Sequence, residues 1–199
     1  QLNVGANDLA ELPPEIGNLT NLTNLQLGHS RMSHRHNQLT RLPPEIGDMS
    51  SLTWLNLYRN YLNELPAEIG NLTNLKFLNL DDNRLTGLPP TIGKLGNLNI
   101  LDVTNNELTE LPPEIGNLTG LNELLLGGNR LTWLPAELGN LNDLAELFLE
   151  DNRLKELPCE LERLTGLSIL YLYGNELGQS NFDFSCLANL THVLIETPR

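Results

Sequence analysis

Along most of the chain, apolar and polar positions follow one spacing, Leu-x-x-Leu-x-Leu, beginning at Leu22, Leu52, Leu75, Leu98, Leu121, Leu144, Leu167 and Leu190, with Val103, Val193 and Ile195 replacing leucine. From Leu52 onward each unit starts 23 residues after the last, whereas Leu22 to Leu52 is 30 residues, one unit plus seven. Leu2 and Val4 carry the phase backwards, so the chain opens inside a further unit. Leucines two apart, such as Leu25 and Leu27, lie on one face of an extended segment, and the residues between them lie on the other. The spacing therefore predicts one short strand per unit.

After each strand comes an asparagine: Asn7, Asn60, Asn83, Asn106, Asn129, Asn152 and Asn175. In the second unit that position falls on Ser30, and Asn37 arrives seven residues late. Asparagine suits the turn leaving a strand, because its amide satisfies backbone groups in a tight bend. Next comes LxxLPxxIGxL, as in "LTELPPEIGNL", and 11 of the 12 prolines fall in these LP or LPP units. Proline drives the residue before it out of the helical region. Pro followed by an acid and closed by Gly fits a single helical or 3-10 turn. One unit buries too little apolar surface to offset the entropy of ordering it, so units must stack. Stacking predicts a parallel sheet of eight or nine strands on the inner face of a curved solenoid.

These motifs resemble the leucine-rich repeat family over essentially the whole chain. The LxxLPxxIGxLxxLxxLxLxxNxL form looks like the proline-containing class found in plant intracellular Ras-group proteins, Ras-pathway scaffolds, bacterial repeat proteins and Roco GTPases. The resemblance implies an α/β fold: a right-handed leucine-rich repeat solenoid, or horseshoe, with its parallel sheet on the concave face and short helical or 3-10 turns on the convex face. It also implies partner binding on the concave surface. Residues 1–199 read as one such domain, a fragment of a longer protein, with an insertion at 30–36 and a degenerate C-terminal repeat at 176–199. There Ser180 and Asn181 replace Leu-Pro, and Phe184 and Ser185 replace Ile-Gly.

With the framework leucines turned inward, three outward columns line the sheet. One contains Trp54, Phe77, Ile100, Glu123, Glu146 and Ile169, ending at His192. The next contains Asp102, Leu125, Phe148, Tyr171 and Leu194, and the third Tyr58, Asp81, Glu150 and Tyr173. Neighbours in a column sit about 4.8 Å apart on adjacent strands. Trp54, Phe77 and Ile100 are thus expected to form one apolar stripe, and Leu125, Phe148, Tyr171 and Leu194 another, with Asp81, Asp102, Glu123 and Glu146 beside them. Contiguous outward aromatics are typical of protein-binding hot spots, and stacked carboxylates favour a basic ligand.

The 40% hydrophobic content supports a substantial core, and the net charge of -13 repels phosphate backbones and anionic lipid. Nucleic acid is not an expected partner, and no apolar run approaches the length of a membrane span. The run "SRMSHRH", residues 30–36, is read either as a tolerated surface insertion without function or as a recognition loop offering Arg31, His34, Arg35 and His36. Its histidines match no structural zinc spacing, so no metal and no cofactor are expected. Two cysteines, Cys159 and Cys186, make no disulfide framework and are read as free thiols. No cysteine-rich cap of the kind seen in extracellular members of the family it resembles is recognisable, which favours an intracellular or bacterial setting. The five Asn-Leu-Thr sequons multiply with the repeat that contains them. No nucleophile with a base and no phosphate-cradling loop stands apart from the repeat, so the chain is read as non-enzymatic. The expected function is a protein–protein interaction module binding a protein or peptide of basic character. The alternative is a substrate-binding or regulatory domain of a larger GTPase, kinase or ubiquitin ligase, and uncovered repeat ends allow self-association.

Overall fold

The computed structural model describes residues 1–28, 35–177, 187 and 194–196. Among the described residues nine short strands run in parallel in sequence order: β1 (Leu2–Asn3), β2 (Asn24–Gln26), β3 (Trp54–Asn56), β4 (Phe77–Asn79), β5 (Ile100–Asp102), β6 (Glu123–Leu125), β7 (Glu146–Phe148), β8 (Ile169–Tyr171) and β9 (Leu194–Glu196). Between them lie 3-10 turns on the convex side, η1 (Pro14–Asn18), η2 (Pro44–Asp48), η3 (Ala67–Asn71), η4 (Pro90–Lys94), η5 (Pro113–Asn117), η6 (Ala136–Asn140) and η7 (Cys159–Arg163). The result is an open leucine-rich solenoid with its sheet on the concave face.

Proline sets each turn. In η5, Pro112 precedes the turn in an extended conformation (φ -66°, ψ 142°) and its carbonyl accepts the Ile115 N–H at 3.0 Å. The Ile115 carbonyl then accepts the Leu118 N–H at 3.2 Å, closing the turn. Glu114 lies in the first turn, beside the exposed N–H groups.

Strand alternation sends the framework leucines inward. Leu25, Leu55 and Leu78 are fully buried, as are Leu57, Leu62, Ile69, Leu72 and Leu75, and all belong to one continuous core. The register advances by one 23-residue unit from β3 to β8, pairing Trp54 with Phe77 and Leu147 with Leu170. At the last strand the step becomes 25 residues: Ile169 faces Leu194, and Tyr171 faces Glu196. Leu194 therefore does not prolong the Tyr171 column. Two residues are one full strand period, so the slip keeps the alternation. It occurs where the repeat pattern fades.

The asparagines do more than shape a local turn. Asn83 is buried; its Nδ2 donates to the carbonyls of Leu80 (2.9 Å) and Asp81 (3.3 Å) in its own turn and of Leu57 (3.1 Å) in the preceding repeat, while its Oδ1 accepts the Leu62 N–H (3.1 Å). Asn60, Asn106, Asn129, Asn152 and Asn175 each likewise accept a leucine N–H from the preceding repeat. Asn37 holds this position in the second repeat, donating to Leu27 O (2.8 Å) and Val4 O (3.0 Å) and accepting the N–H groups of Asn7 and Leu9. The residue before the ladder asparagine is left-handed in most repeats, as at Asp82 (φ 57°), Asn105 (φ 51°) and Gly128 (φ 66°). Asp, Asn and Gly tolerate that conformation best.

The expectation of two free thiols is corrected. Cys159 is disulfide-bonded, and no free cysteine occurs among the described residues. Two cysteines are too few for a framework, yet one bridge needs only two. The sequence's other cysteine, Cys186, lies outside the described residues.

Candidate functional site: the concave face

Alternation turns Trp54 and Phe77 outward from β3 and β4, and the register places them side by side. Their rings stack 3.6 Å apart at 10°, with Trp54 38% exposed. Half-buried Ile100 continues the stripe on β5, and a shallow groove runs beside it, lined by Asn24, Thr53, Lys76, Asn97 and Asn99. Beyond Ile100 the column becomes acidic, because Glu123 pairs with Glu146 on β6 and β7. The Glu123 carboxyl is raised above its ordinary range, first by burial and then by the neighbouring Glu146 charge.

The second column joins Leu125, Phe148 and Tyr171, all half-buried. The Phe148 and Tyr171 rings lie 5.0 Å apart at 59°, and Tyr173, 39% exposed, extends the cluster at 6.2 Å from Tyr171. Asp102 belongs to the same column, but its oxygens accept the Thr104 N–H (3.0 Å) and Asn79 Nδ2 (3.4 Å). Asp81 is withdrawn: it is 3% exposed and its Oδ1 accepts Asn105 Nδ2 at 3.1 Å. A residue expected to face ligand is instead part of the turn, because two successive bends meet over it.

Glu150 supplies a feature of a different kind. Its side chain lies over Gly127 of the preceding repeat, where any larger residue would collide with the carboxylate. Its Oε2 is buried without a hydrogen-bond partner. Burial raises its pKa above the ordinary range; the hydrogen bond to its own backbone opposes this, while Asp151 and Asp102 add to the rise.

Tyr58 is half-buried near the concave rim, its N–H donating to Asn56 Oδ1 at 2.9 Å. Of the insertion residues, Arg31 and His34 lie outside the described residues. Arg35 is exposed, and His36 meets Tyr61, its Nε2 3.0 Å from the phenol oxygen with the rings edge to face. The Arg84 guanidinium caps the same Tyr61 ring at 4.4 Å, a contact that sequence reasoning did not anticipate. Trp133, 43% exposed on the flank, was missed as well. A signal for it existed: in the LxxLP units its column otherwise holds Glu11, Arg41, Glu64, Gly87, Glu110 and Glu156. Among the described residues, no group of three or more His, Cys, Asp or Glu side chains is placed to hold a metal ion. Nor is any described helix long and apolar enough to cross a membrane.

Residues 67–196 match the family model for a leucine-rich repeat region, and residues 35–85 match that for a leucine-rich repeat. The chain belongs to the leucine-rich repeat family. It is similar to a leucine-rich repeat protein of Leptospira interrogans, with 37% identity over 96% of this chain and 46% of that one and a TM-score of 0.85. Internalin C2 from Listeria monocytogenes is 26% identical over 98% of this chain and 79% of its own, with a TM-score of 0.81. The ectodomain of the Arabidopsis thaliana receptor kinase GASSHO1/SCHENGEN3, solved in complex with CASPARIAN STRIP INTEGRITY FACTOR 2, is 31% identical over 96% of this chain and 25% of its own, at a TM-score of 0.71. The chain thus spans about half the length of the Leptospira protein. No curated protein matches it at a significant level.

Proposed function

We propose that the chain is a protein-interaction module whose concave face binds a protein or peptide of basic character. The observation that carries this reading is the stacked, outward-facing Trp54–Phe77 pair on a rigid parallel sheet. Aromatic surface held in place by backbone pairing gives contact area with little entropy left to lose. The Glu123–Glu146 pair beside it suits a cationic group, and the net charge of -13 would speed the approach of a basic partner. Lys76 at the groove edge directs the positive part of such a ligand toward the β6–β7 side. The complex formed by the Arabidopsis neighbour supports the same reading by analogy.

The test is affinity capture from lysate of the source organism, followed by calorimetry on the captured protein. Trp54→Ala combined with Tyr171→Ala should weaken binding by at least about tenfold while the circular dichroism spectrum stays unchanged. Equal affinity of parent and variant removes the concave-face reading. Glu123→Gln with Glu146→Gln should slow association and flatten its dependence on salt; an unaltered salt dependence removes the basic ligand.

A further inference from the structure

We propose a second docking site, on the flank of the solenoid, for an extended arginine-bearing segment of a partner protein. Trp133 is 43% exposed, a larger fraction than Trp54, and lies on the approach to η6, away from the sheet face. It stands at one end of a groove lined by Leu88, Pro90, Pro112 and Pro113, with Gly87 leaving open space where a side chain would otherwise project. Proline fixes this lining before any ligand arrives, so little order remains to be imposed on binding.

Charge selects the occupant. Glu110 and Glu114 line the groove, Glu156 is the next residue in the Trp133 column, and no Lys or Arg contributes to the lining. Nearby Arg130 is paired with Glu107 at 3.0 Å, while Lys155 and Lys94 are exposed beyond the groove. The corresponding groove at the first two repeats, between Pro13 and Pro43, also carries carboxylates, Glu11 and Glu45, but sets Arg41 between them and holds no aromatic residue. Of these two grooves, it is the later one that brings an indole together with carboxylates and no basic lining residue. Arginine fits both: its aliphatic stem lies along proline, its guanidinium stacks on the indole face, and its N–H groups reach carboxylate.

This site does not depend on the concave-face reading. The probe is the peptide Ac-Gly-Pro-Arg-Pro-Arg-Gly-NH2, titrated while the two tryptophan indole N–H signals are followed by NMR and assigned through Trp54→Phe and Trp133→Phe. A saturable shift of the Trp133 signal is expected. Replacing both arginines by neutral citrulline, or introducing Glu110→Gln with Glu114→Gln, should weaken binding by about fivefold or more. Trp133→Ala should abolish it with the melting temperature retained, and Trp54→Ala should leave it unchanged. No saturable shift at Trp133, a shift confined to Trp54, or equal binding of the citrulline peptide would overturn the proposal. So would a Trp133 shift that follows protein concentration before peptide is added, which assigns the groove to a second copy of this chain.

Discussion

Asn106 Oδ1 accepts a hydrogen bond from the backbone N–H of Leu85, in the preceding repeat, at 2.9 Å. Its two amide protons are shared among three carbonyls, those of Val103 and Thr104 in its own turn and Leu80 in the preceding one, each at 3.0 Å. One buried side chain thus serves both a turn and the junction between two repeats. Asn106→Leu keeps the volume but leaves these groups unpaired away from water. Each orphaned group costs about 1–3 kcal/mol, so a loss of about 2–4 kcal/mol is expected in urea unfolding. A change under about 0.5 kcal/mol would mean that water replaces the amide at no cost.

Two glycines should respond in opposite ways. A methyl group on Gly116 would collide with the carbonyl oxygen of Glu137 and come within 2.8 Å of its Cβ, in the next convex turn. Backbone cannot swing aside as a side chain can. Gly96 has nothing within 4 Å of the same position. Gly116→Ala should cost about 1–3 kcal/mol, while Gly96→Ala should lie within about 0.5 kcal/mol of the parent. Equal midpoints in a denaturant titration would show that the convex turns are not tightly stacked.

The contrast explains what was legible in the sequence. Leu55 and Leu78 occur in a spacing that only a stacked strand satisfies, and proline marks where the chain turns back; both could be read without coordinates. Asn83 was legible only by half, because local turn chemistry accounts for its bonds to Leu80 and Asp81 but not for those to Leu57 and Leu62. Column order likewise placed Trp54 beside Phe77, yet it said nothing of how far two bends would enclose Asp81. Reach between repeats depends on side-chain direction in three dimensions. Cys159 illustrates the same limit, since a count of cysteines does not say whether a given one is bridged.

The ladder also bears on the 30–36 insertion. Asn37 already makes its bonds to Leu27 and Val4, so deleting residues 30–36 brings it to the regular spacing after β2. His29 then takes the place that Arg59 occupies in the next repeat, where φ is 52°. A left-handed histidine costs about 1–2 kcal/mol, partly offset by the shorter loop. The melting temperature should stay within about 5 °C of the parent, and His29→Gly in the deletion variant should recover the difference. A collapse of the transition would show that the inserted residues are part of the core.

Glu150 should make stability fall with rising pH. Burial raises its pKa above the ordinary 4.5, so in this window the folded chain binds more protons at Glu150 than the unfolded chain does. The stability associated with the protonated form is fully present below the unfolded value and is lost as pH rises through the higher folded value. Above that window the Glu150 charge sits over Gly127 with Oε2 unpaired, and Asp102 and Asp151 oppose it. Glu150→Gln removes the charge and keeps the shape. The variant should therefore melt higher than the parent at pH 7.5, with the gap narrowing as pH approaches 5, when both are followed by circular dichroism. A gap that stays constant with pH, or that widens toward pH 5, would show that the carboxylate has found a cation or water to satisfy it.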